Sequence, residues 1–299
     1  MMLSIALLDV KRILRSKATW ALLALALAIL ALQTVKAAYT MGVQVGFPDL
    51  DVSGFRSFLP PDTPKASGVL TLSVRETSPL LQLMLSFQYL NYLALAAVVI
   101  FGGFFAQDIG SGYTALRRCR GLSPHRQFAA NVITITMVAF MFSAVGIAFL
   151  YAVCLAINPQ GVNSLANGQL TLNAVFFLPQ VAAAAPIAYV ALLLVIYTGV
   201  LTFLGMLGYF VARLSGKVLV ASIAPAAFIL ILGGLLAAYL PWPFRVFDYD
   251  NLSLAGRSII GFDVAFQYAG AYFVWLGAFF VLGFLSPTLI TTLRKVRIW

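Results

Sequence analysis

The residues able to do chemistry in this chain are few, and most stand in one stretch. The segment "FFAQDIGSGYTALRRCRGLSPHRQF", Phe104 to Phe128, holds Asp108, Arg117, Arg118, Arg120, Arg126 and the only histidine, His125. This set offers charge and hydrogen bonds rather than catalysis. Arginine stays protonated and acts only as a donor, to carboxylates or phosphates. One histidine builds neither a His-Glu-x-x-His zinc site nor a His-based dyad within a membrane. The phosphate-cradling pattern G-x-x-x-x-G-K-[ST] is also missing. Ser215-Gly216-Lys217 comes near it, but Val211 stands in place of the first glycine and Val218 follows the lysine, so ATP is not bound by that route. The two cysteines, Cys119 and Cys154, fall in a loop and in an apolar run. Neither a disulfide nor a metal site is expected of them, and no catalytic residue is assigned.

The elements that position this stretch follow from composition. Of 299 residues, 62% are hydrophobic and only 9% charged, against about 25% charged in a soluble domain. Apolar runs of 18 residues or more recur, continuous and rich in Leu, Ala and Phe. That pattern excludes a membrane β-barrel, whose strands alternate, and predicts an all-α polytopic membrane protein. The formal charge of +10 is not a nucleic-acid footprint. The basic residues form clusters flanking the apolar runs, as topology signals and lipid-headgroup contacts do.

Six spans are expected in a single transmembrane domain covering residues 1–299, at about 18–38, 84–106, 128–156, 184–212, 218–240 and 267–291. The run 172–212 would be about 60 Å long as one helix, twice the thickness of a bilayer core. Pro179 and Pro186 offer a break, which leaves 172–183 as a short outer or re-entrant helix. Two spans in place of one would put the tail residues Arg294, Lys295 and Arg297 outside. With six, thirteen Lys and Arg residues lie inside and six outside. The positive-inside rule then places both termini in the cytoplasm and the chain in the cytoplasmic membrane. Outer segments are 39–83, 157–183 and 241–266. The first is irregular around "LPPDTP". The last is aromatic, with Trp242, Phe244, Phe247 and Tyr249, and suits an interfacial hairpin or loop.

Residues 1–17 read as an interfacial helix. Leu3, Ala6, Leu7, Val10 and Leu14 recur at helical spacing, and Asp9, Lys11, Arg12 and Arg15 are assigned to the other face. The stretch has the outline of a leader peptide, but its long basic region argues for a retained helix. The spans carry neutral polar groups, among them Gln88, Asn91, Asn131, Thr134, Thr136, Thr198 and Thr202, and no charge at mid-depth. Ion-coupled transporters usually need such charge, so uphill movement would draw its energy from another chain.

Between the second and third spans, 108–127 is expected to form a cytosolic knob. Gly110 and Gly112 loosen the end of the span, "YTALRRCR" forms a helix of about two turns, and Gly121 with "LSP" turns the chain into the next span. The run of Asp108, Gly112, Leu116-Arg117-Arg118, Ser123-Pro124 and Arg126 resembles the permease subunits of type-2 ABC exporters. In that family an acidic residue ends the second span, a glycine and a short helix follow, and a Ser-Pro or Ser-Arg turn leads into a basic third span. Asn131 stands near the place of an expected lysine, and Asp108 where Glu is more usual. The motif-level likeness covers these 25 residues; the rest matches in layout.

The resemblance implies a coupling helix that docks on a separate ATPase. Asp108, Gly112, Leu116, Arg117, Arg118, Arg120, Pro124 and Arg126 would be its coupling residues. It implies two ATPase subunits per complex, which bind ATP and Mg; no cofactor in this chain; and a second permease, identical or paralogous. Arg117, Arg118 and Arg120 would pair with acidic groups of the ATPase or touch anionic lipid. The competing readings are a stand-alone channel or secondary transporter, and a membrane scaffold without transport.

Overall fold

The computed structural model describes residues 2–40, 42–46, 69–73, 79–119, 121–158 and 185–231, with isolated helical positions at 274, 277, 278 and 281. The described chain is a helical bundle with one small ribbon. Its elements are α1 (Met2–Arg15), α2 (Lys17–Thr40), β1 (Gly42–Gly46), β2 (Val69–Ser73), α3 (Pro79–Ser86), a 3₁₀ turn (Phe87–Leu90), α4 (Asn91–Gly110), α5 (Tyr113–Cys119), α6 (Pro124–Ile157), α7 (Pro186–Ser215) and α8 (Val218–Leu230). Four of these, α2, α4, α6 and α7, are long and apolar enough to cross a membrane. They match the first four expected spans. For the fifth, only 218–231 are described, as the thirteen-residue α8 with Pro225 inside and Ile231 beyond it. The expected outer helix 172–183, the aromatic segment 241–266 and nearly all of the sixth span, 267–291, lie outside the described residues.

Several boundaries differ from the expected ones. The second span is not one helix from residue 84: α3 and α4 are joined by the 3₁₀ turn. Where that turn changes the hydrogen-bond register, the Leu90 carbonyl accepts the buried Tyr197 hydroxyl at 2.5 Å. The third span begins four residues early. Ser123 caps α6 by accepting the Arg126 N–H at 3.3 Å, and Pro124 fills the first helical position, where a missing N–H costs nothing. The 39–83 segment, expected to be irregular, contains the ribbon. There β1 and β2 run antiparallel, with Gly42 opposite Ser73 and Gly46 opposite Val69.

The core sits around α4, which packs against α2, α7 and α8, while α7 also packs on α6. Phe101, Phe105, Phe142 and Tyr209 fill it. Phe105 meets Tyr209 edge-on, with centroids 5.1 Å apart, the arrangement that aromatic quadrupoles favour. Close approach of backbones makes this possible. A methyl group added at Gly102 of α4 would run into the Ala221 carbonyl of α8. In lipid, where helix association rests on van der Waals packing, such small-residue contacts hold helices together.

Substitution Gly102→Val is therefore expected to destabilise the bundle by about 1–3 kcal/mol, the usual cost of overpacking. Gly199→Ala, where an added methyl meets no neighbour within 4 Å, is expected to be neutral or to gain up to about 1 kcal/mol from helix propensity. Thermal unfolding of the detergent-purified protein checks both. Equal melting temperatures for the two variants would contradict the packing.

Candidate functional site: a buried charge lattice under the short helix

The charged stretch forms a compact corner at one end of the bundle. Helix α4 continues through Asp108 to Gly110, and Gly112, with φ +75°, then turns the chain. This left-handed conformation is open to glycine at little cost. Helix α5 follows as two turns, and Gly121, with φ +82°, ends the excursion before Ser123 caps α6. The Leu122 N–H donates to the Arg117 carbonyl at 3.2 Å and closes the end of α5.

Helix α1 lies against this corner and supplies half of its charge. Arg12 donates to both carboxylate oxygens of Asp108, from Nη2 to Oδ1 at 2.5 Å and from Nη1 to Oδ2 at 3.1 Å. Arg117 grips Asp9 in the same two-pronged way, with Nη1 to Oδ2 at 2.8 Å and Nη2 to Oδ1. A weaker contact of 3.4 Å joins Arg12 to Asp9 within α1. The Tyr113 ring serves both cations: the guanidinium carbons of Arg12 and Arg117 lie 4.4 and 4.3 Å from its centroid. Arg12 also lies 5.1 Å from the Phe104 ring.

Two carboxylates and two guanidiniums make a neutral set, and most of it is out of water. The Asp9 side chain is 0% exposed, Asp108 7% and Arg117 10%. Paired, forked hydrogen bonds are the condition under which such charges tolerate burial. For Arg117, burial alone would lower the pKa, but hydrogen bonds to Asp9 and Tyr113 outweigh it and raise the group above its ordinary range. Burial likewise opposes the Arg12 charge, and Asp108 outweighs it. Both arginines therefore stay charged at any accessible pH. The lattice is held by charge-assisted, forked hydrogen bonds. It fastens α1 to the end of α4 and to α5.

The expected site residues are thus divided. Asp108 and Arg117 belong to the lattice and face inward, Arg117 being bound by Asp9 of its own chain. Gly112 shapes the turn, and Pro124 the start of α6. Leu116 is 56% exposed, and Ala115, Cys119 and Arg126 are exposed with it. Arg118 belongs to α5, and Arg120 lies outside the described residues. Among the described residues no group of three His, Cys, Asp or Glu could hold a metal.

Sequence reasoning missed Asp9 and Arg12 as partners, and it put Asp9 on the wrong face. The packed face of α1 is Ala6, Asp9, Val10 and Ile13, while Leu3 and Leu7 point away from the bundle. The pull of Arg117 draws Asp9 inward, and in an apolar medium leucines need no protein cover. The available signal was spacing: Asp9 lies at i+3 from Ala6 and i−4 from Ile13, within the face that packs.

Breaking one arm of the lattice leaves its partner charge buried and alone. Asp9→Asn and Arg117→Gln are each expected to cost about 3–5 kcal/mol, and together much less than the sum. The swap Asp9→Arg with Arg117→Asp is expected to recover part of the loss. A double-mutant cycle read by thermal unfolding checks this; additive single effects would contradict it.

Compared with family models, with curated proteins and with solved structures, the chain has no match, and its functional reading rests on these residues.

Proposed function

We propose that this chain is the membrane-spanning permease subunit of an ATP-driven exporter. In this reading it has six spans with both termini in the cytoplasm, and it pairs with a second permease, identical or paralogous. Helix α5 is the coupling helix, seated on a separate ATPase subunit that binds ATP and Mg. Closure of two such ATPases pushes on α5, and the push opens a path between the permeases.

One observation carries this reading. Among the described residues, helix α5 is fastened on its inner side and exposed on its outer side. Tyr113 and Arg117 turn into the lattice, while Ala115, Leu116 and Cys119, at helical spacing, project outward. A helix that receives a push needs both features: a face to be pushed and anchors that pass the displacement on. The left-handed glycines at 112 and 121 keep it a separate short rod rather than a continuation of either neighbouring helix. The contact implied is an apolar knob centred on Leu116 with flanking cations. Arg126 at the start of α6 is placed to contribute. Arg117 takes no direct part in docking; it acts through Asp9.

The test is purification from native membranes in mild detergent. The wild-type chain is expected to retain a stoichiometric ATPase. Leu116→Glu is expected to reduce that retention at least about tenfold, as loss of a central interface residue does, with the chain still monodisperse. A wild-type chain that purifies alone and conducts ions would favour the stand-alone channel. One that purifies alone and transports nothing would favour the scaffold.

A further inference from the structure

We propose that the outward face of α1 is a seat for anionic phospholipid headgroups. The proposal goes beyond the exporter reading and needs no ATPase.

The lattice leaves α1 with an unusual surface. Its single acid, Asp9, is wholly buried, and Arg12 is turned toward Asp108. What remains outward includes Leu3, Leu7, Lys11 and Arg15, an exposed row at i, i+4 spacing flanked by exposed Ser4 and Leu8, with Lys17 exposed just beyond the helix. None of these three cations is paired with a carboxylate among the described residues. By hiding its only acid, the helix presents a purely cationic outer charge.

Depth fits the row. Near its start, the Ala6 carbonyl of α1 accepts the Thr134 hydroxyl at 3.4 Å. Thr134 is ten residues into α6, about 15 Å from its first residue at 1.5 Å per residue. Near its end, Arg12 meets Asp108 in the last turn of α4. Helix α1 therefore slopes, with its first turns deeper along the bundle than its last. The row changes from leucine to cation in the same direction. On this slope Leu3 and Leu7, 57% and 48% exposed, would reach the acyl chains of a leaflet whose phosphates meet Lys11, Arg15 and Lys17.

The corner into α2 marks the same boundary. The Trp20 indole N–H donates to the Leu14 carbonyl at 2.6 Å, with half of the residue exposed. A tryptophan pinned between the last turn of an interfacial helix and the first of a span suits the headgroup layer. A leaflet supplies hydrocarbon next to negative charge, the combination that the leucines and cations require together. An acidic protein surface would meet the cations and leave Leu3 and Leu7 in water.

The purified full chain, incubated with mixed micelles of phosphatidylglycerol and phosphatidylethanolamine, is then analysed for retained lipid by native mass spectrometry. Wild type is expected to retain phosphatidylglycerol preferentially, and K11E/R15E/K17E to lose that retention at least about tenfold, since each cation contributes to anionic-surface binding. The set K11Q/R15Q/K17Q, which adds no like charge, is expected to give a smaller loss in the same direction and covers the case in which the Glu set fails to fold. Equal retention of both lipids by wild type overturns the proposal, as does undiminished phosphatidylglycerol on the folded variants. Variants that shed a co-purifying protein while keeping the lipid overturn it in favour of a protein partner.

Discussion

The arrangement at this end of the molecule depends on two forked ion pairs, Arg12 with Asp108 and Arg117 with Asp9. Each joins α1 to an element more than ninety residues away in sequence. Neither carboxylate has an independent reason to be buried. Each is held there by a guanidinium whose planar fork matches its two oxygens, a match that lysine does not make. The pairs share Tyr113, whose ring lies beside both cations, so the lattice is one unit rather than two bonds. Its neutrality lets it sit among apolar helices, and its geometry fixes how α1 rolls on the bundle.

That roll determines the two surfaces that face outward. With Asp9 turned inward, α1 shows a row of leucines and cations to its surroundings. With Arg117 turned inward, α5 shows Leu116 and Cys119. One set of charges thus supports both the α1 face proposed to meet lipid and the α5 face proposed to meet a partner. In the exporter reading, it also makes α1 and α5 a common rigid block. A displacement of α5 would reach the interfacial helix directly, and α4 through Asp108. A buried pair is often no more stabilising than an apolar substitute. What this one contributes is a defined orientation of three helices.

Much of the bundle was legible because lipid leaves the chain few choices. Long apolar runs must be helices, although the ends set by Pro124 and Gly216 lie a few residues outside the expected spans. The short helix α5 was legible from Gly112 and Gly121. The lattice was only half legible. Asp108 and Arg117 stood out as charges at the edge of apolar runs, but their partners lie some hundred residues upstream, and pairing across that distance has no local signature. Asp9 was misassigned because amphipathic periodicity assumes that the packed face is apolar and the charged face is wet. Next to lipid, the outward face can be leucine, and a charge can be the residue that packs. The join of α3 to α4 was missed because an apolar run has the same composition whether its helix is continuous or passes through a 3₁₀ turn.

In the exporter reading, the exposed face of α5 rests on a nucleotide-hydrolysing partner. Cys119 offers a direct probe: it is exposed on α5, whereas the only other cysteine, Cys154, is buried. A photoactivatable maleimide attached to Cys119 in native membranes and then illuminated should yield one dominant protein adduct. The account predicts that mass spectrometry of that adduct identifies an ATPase chain, and that Cys119→Ser abolishes it. Labelling of Cys119 that proceeds to completion yet gives only lipid or solvent adducts in the intact native assembly would contradict it.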